Sequence, residues 1–127
     1  MRRAMPVDGD VYLVVPAEAR FARVARTLAA TCAALHGFDV DRMDDVRLLV
    51  DEVFAAMLAA GARRVHLAFV LRNGALVMEL VADHGRAVDR QPADAQFVPT
   101  LARALATDVS IELDHDPPRF AATMAAG

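Results

Sequence analysis

At 127 residues, 56% of them hydrophobic and 24% charged, the chain is long enough to bury a core without disulfides or a structural metal. A net charge of −3 argues against a nucleic-acid binder, and all fourteen basic residues are arginine. The absence of lysine excludes a P-loop, a Schiff-base lysine and the eukaryotic-type protein kinase.

A single cysteine, Cys32, can make no internal disulfide and fits a reducing, cytoplasmic setting. No apolar leader follows Met1 and no uncharged apolar run reaches about 18 residues, so neither a signal peptide nor a membrane span is expected. The apolar surplus predicts an exposed patch suited to a partner or a homodimer.

Residues 1–10 read as an N-terminal tail, and 11–127 as one domain. Val11 to Val15 is a short β-branched run stopped by Pro16, the mark of a first strand. From Ala17 the period changes: Phe21, Val24, Leu28, Cys32 and Leu35 fall three and four apart, predicting one apolar helical face that ends near Gly37. Asp41 is the expected N-cap of a second helix running to about Ala60, with Val46, Leu49, Val50, Val53, Phe54 and Met57 directed at the core.

Val65 to Arg72 and Ala75 to Ala82 are strand-like runs joined by Asn73-Gly74, the pair preferred in a two-residue type I′ hairpin. A polar loop follows. Ala95 to Ala106 then predicts a third helix with Phe97, Leu101 and Leu105 on one side, and Val109–Leu113 with Arg119–Met124 a second hairpin. The order is β-α-α-β-β-α-β-β. An α/β two-layer sandwich, with helices on one face of a mixed, mostly antiparallel sheet, buries this pattern.

Two segments carry a likeness to a known family. Asp44 to Met57 contains Asp51-Glu52 and, four residues beyond the glutamate, Ala56; Val81 to Asp89 contains Asp83-His84-Gly85-Arg86-Ala87. With the order of elements, these resemble the N-box and the D-x-G-x-G box of the GHKL (Bergerat) ATP-binding fold. The likeness is to its histidine-kinase-like ATPase branch, the anti-sigma-factor serine kinases. The resemblance implies that Glu52 acts as general base on the attacking hydroxyl and that Asp83 and Gly85 receive adenine. Both carboxylates should then open onto one cavity between the helices and the sheet.

Where that family has a magnesium-binding Asn this chain has Ala56, and where it has its second glycine this chain has Ala87. The stretch from Arg86 to Thr100, which would be the glycine-rich lid, contains no glycine. Phosphoryl transfer depends on positioning and charge neutralisation, so these departures imply a degenerate site with no cofactor expected; ATP and Mg²⁺ enter only if the site still works. The resulting expectation is an anti-sigma-factor-like regulator acting by protein–protein contact in a partner-switching system. Its partners would be a sigma factor, a STAS-domain anti-anti-sigma factor, or both.

Two alternatives stay open. One is an active serine/threonine-protein kinase of the same family, working through a rearranged lid or a substitute metal ligand such as Asp51; the other is a small-ligand sensory module using the abandoned pocket. Outside the likeness, Asp-x-Gly after a strand is also ordinary turn chemistry. The four histidines, His36, His66, His84 and His115, have no metal-ligand spacing.

Overall fold

The structure, a computed structural model, describes residues 9–72, 74–83 and 97–127. Five strands and three α-helices follow in the expected order: β1 (Val11–Pro16), α1 (Ala22–Ala34), α2 (Val40–Ala59), β2 (Arg64–Arg72), β3 (Ala75–Ala82), α3 (Phe97–Leu105), β4 (Asp108–Glu112) and β5 (Arg119–Ala125). A single 3₁₀ turn, Ala19–Phe21, precedes α1. This is a two-layer α/β arrangement. None of its helices is long and apolar enough to cross a membrane, among the described residues.

The sheet runs β1-β2-β3-β5-β4, and every neighbouring pair is antiparallel rather than mixed. The reason lies in the connection through α3. That crossover makes β4 run parallel to β3, but it sets β4 down one position away, and β5 returns antiparallel into the gap.

Pairing sets the register, and the register sorts the side chains. Leu67 lies opposite Leu13 and Leu80, Leu80 opposite Phe120, and Phe120 opposite Ile111, so one continuous apolar row crosses all five strands. Val65, Leu67 and Phe69 alternate with His66, Ala68 and Val70, which therefore point away from the helices. The β2–β3 hairpin closes with Arg72 opposite Ala75, leaving two residues at the tip; Gly74 has φ +73°, as a turn of the primed type demands, and Asn73 lies outside the described residues. Pairing along β1 also extends beyond Val11, for Asp10 N–H donates to Phe69 O at 2.8 Å and Leu71 N–H donates to the Asp10 carboxylate at 2.8 Å.

Helix α2 is the spine. Val46, Leu49, Val50, Val53, Phe54 and Met57 are fully buried, as their spacing predicts. Its cap is Asp39, not Asp41: the Asp39 backbone is extended and its Oδ1 accepts from Arg42 N–H at 2.8 Å. Asp41 lies in the first turn, where a carboxylate still favours the helix dipole. At the other end Gly61, φ +84°, occupies the left-handed conformation that ends a helix without a side-chain clash.

The buried stripe of α1 differs from the one its large apolar residues suggest. Ala25, Ala29, Ala33 and Cys32 face the core, while Val24 and Leu35 are 44% and 70% exposed. Alanines at this spacing leave little side-chain volume between neighbouring helices, so α1 and α2 can pack closely. A similar exchange occurs on α3, where Val98 and Ala102 are buried and Phe97 is 68% exposed.

Candidate functional site

Glu52 projects from α2 at the edge of its buried face. One turn earlier on the same side stands Leu48. Opposite them α3 presents Phe97, Thr100, Leu101 and Ala104, and the two helices enclose an open groove of about 520 Å³. Among the described residues its walls are apolar except for the Glu52 carboxylate and the Thr100 hydroxyl.

Electrostatics distinguish Glu52 from its neighbours. Asp44 holds Arg47 at 2.7 Å, Asp45 holds Arg42 at 3.0 Å, and Asp51 holds Arg26 of α1 at 3.1 Å. Asp51 is thus engaged in an inter-helix ion pair. Glu52 has no ion pair or hydrogen bond among the described residues.

Ala56, one turn beyond Glu52, is 2% exposed and belongs to the hydrophobic core. It lines no part of the groove and offers no oxygen. Asp83, just beyond β3, still pairs with β2, for its N–H donates to Arg64 O at 2.7 Å. Ala82 before it points into the core, so the pleat turns the Asp83 side chain to the other face, where Oδ2 lies 3.6 Å from His66 Nε2. The structure therefore does not bring Glu52 and Asp83 together: one opens onto a groove in the helical layer, the other onto the face of the sheet turned away from the helices. Gly85 and Ala87 lie outside the described residues, as does His84.

His66 has both ring nitrogens buried without a hydrogen-bond partner. At 3.6 Å its approach to Asp83 is too long for a hydrogen bond, and it becomes an ion pair only when the imidazole is protonated.

These residues do not fit ATP with Mg²⁺. The position that would hold the metal is a methyl group in the core, and the presumed adenine and base carboxylates stand on different faces. Among the described residues no group of three or more His, Cys, Asp or Glu could hold a metal ion.

Sequence reasoning found Glu52 but missed the groove around it. The available signal was Leu48, an apolar residue off the core stripe of α2 and one turn from Glu52. No protein-family model matches the chain, and no curated protein matches it in sequence.

Proposed function

We propose that the chain is an anti-sigma-factor-like regulatory domain that works by protein–protein contact in a partner-switching system, without phosphoryl transfer. The observation that carries this reading is Ala56 in the core. The order of elements is compatible with the serine-kinase likeness, and the position one turn from Glu52, where that likeness calls for a metal-binding Asn, is a packed methyl group. Position 56 then offers no hard oxygen to Mg²⁺, and without the metal the developing charge on a transferring phosphate has no counterion.

The separation of Glu52 from Asp83 removes the shared cavity on which the likeness to nucleotide-binding members depended. The reading therefore leans on the order of elements and on surfaces available to a partner. Tyr12 and Val14 of β1, an edge strand, are about half exposed on the face away from the helices, and Val24, Leu35 and Leu48 add apolar area on the helical side. A sigma factor, a STAS-domain antagonist and a second copy of this chain are the partners that the reading names.

The deciding experiment mixes the purified protein with the sigma factors and STAS-domain proteins of its native host and follows complex formation by size-exclusion chromatography. A stoichiometric complex with one of them, and no transfer of labelled phosphate from ATP, is expected. Transfer abolished by Glu52→Ala would instead establish the kinase reading, and failure to bind any of these proteins would remove the regulatory one.

A further inference from the structure

We propose that the groove between α2 and α3 binds a small organic cation, a protonated amine carried on an apolar body. The argument begins with what lines it. Leu48, Phe97, Leu101 and Ala104 supply an apolar trough, and the volume of about 520 Å³ lies in the range that accepts a small molecule. Into that trough opens the one carboxylate of the Asp44–Glu52 segment that no arginine among the described residues holds. Among the described residues, no cationic side chain lines the groove.

The three possible ligand charges have different consequences. A neutral apolar molecule would bury hydrocarbon against Leu48 and Leu101 but would strip water from Glu52 and give it nothing in return. An anion would face the carboxylate across a poorly polar gap, which is repulsive. An ammonium instead makes a charge-assisted hydrogen bond to Glu52, has the Thr100 hydroxyl as a second acceptor, and can lie against the exposed ring of Phe97. The trough then takes the hydrocarbon body. Selectivity for a cation follows from the one charge that the described residues leave unpaired on a mainly apolar wall.

This site is independent of the partner-switching reading. A chain that bound no sigma factor could still take the amine, and a regulatory complex could form without it. The test titrates the full chain with three probes of one shape, phenylbutylammonium, phenylbutanol and phenylbutyrate, and follows the methyl resonances of Leu48, Thr100 and Leu101 by NMR. Saturable shifts with the ammonium are expected, with affinity about tenfold or more above that of the alcohol and the carboxylate weakest. Glu52→Gln should bring the ammonium down to the level of the alcohol, and Ala104→Trp, which fills the trough from an exposed helical position, should remove binding of all three. Equal affinities for the three probes, ammonium binding untouched by Glu52→Gln, or no saturable binding at all would each overturn the proposal.

Discussion

The guanidinium of Arg42 donates to the carbonyl oxygen of Leu105 at 3.0 Å, tying the first turn of α2 to the last residue of α3. The same side chain donates to Ala125 O at the end of β5, also at 3.0 Å, and its charge is held by Asp45. The Leu105 carbonyl closes a helix whose last turn carries partial negative charge, so a cation there is doubly favourable. One half-buried arginine thus joins three elements at one end of the molecule and fixes α3, one wall of the groove, against α2.

Arg42→Ala should therefore cost about 2–3 kcal/mol, since it leaves two carbonyls and a carboxylate without their charged donor. Arg42→Lys should recover only part of that, because a single ammonium cannot span three acceptors fixed by the planar fork. Urea unfolding of the three proteins checks the order. Equal stability of the lysine and arginine forms would show that charge alone, not the fork, holds the junction.

The Asp39 cap gives a second, smaller effect. Asp39→Ala removes the acceptor for Arg42 N–H and should destabilise by about 1 kcal/mol, whereas Asp41→Ala, one residue into the helix, should cost a few tenths. Thermal melts of both variants distinguish the true cap from its neighbour.

The strands and the spine helix were legible because their signals are local and strong. Val65 to Ala82 alternates around a two-residue turn, and α2 buries each of the six large residues its period selects. Two other features were not legible, for one physical reason. On α1 the buried stripe is built from alanines (Ala25, Ala29 and Ala33) while the larger Val24 and Leu35 end up outside, and on α3 Val98 and Ala102 are buried while the larger Phe97 is exposed. Close helix packing rewards small volume, which a hydrophobicity count does not register. The same limit hid the groove, because the period of the third helix shows that Phe97 and Leu101 share a side but not what that side faces. Asp83 was placed by its sequence neighbours, while the pleat of β3, inferable only from which alternate residues fill the core, decides the face on which it stands.

Burial pushes the Cys32 thiol above its ordinary value of 9.0, because the thiolate would lose its water inside the α1 stripe. The sign follows directly. Well below pH 9 the thiol is protonated in folded and unfolded chains alike and adds no pH dependence. Above it the unfolded chain ionises first and binds fewer protons, so stability falls as pH rises toward the folded value. Cys32→Ala should lose that alkaline component, read as a stability difference between the two proteins that shrinks or reverses from pH 8 to pH 10. At pH 8 a thiol reagent should label native Cys32 far more slowly than the urea-unfolded chain. Rapid native labelling would place the thiol at the surface.

The most informative substitution restores the residue that the serine-kinase pattern would require. Ala56→Asn supplies the missing side-chain oxygen, but it does so in the core, 2% exposed and beside Val53, Phe54 and Met57 in the same buried stripe of α2. The amide must either stay buried without partners or force the helix to turn. It should therefore destabilise by about 2 kcal/mol or more. Because Asp83 still faces the other side of the sheet, no affinity for ATP with Mg²⁺ should appear. Calorimetry on the variant gives the nucleotide answer and urea unfolding the stability. Micromolar ATP binding by Ala56→Asn would mean that the missing oxygen alone keeps the pocket silent, and that Glu52 and Asp83 come together when a nucleotide is present.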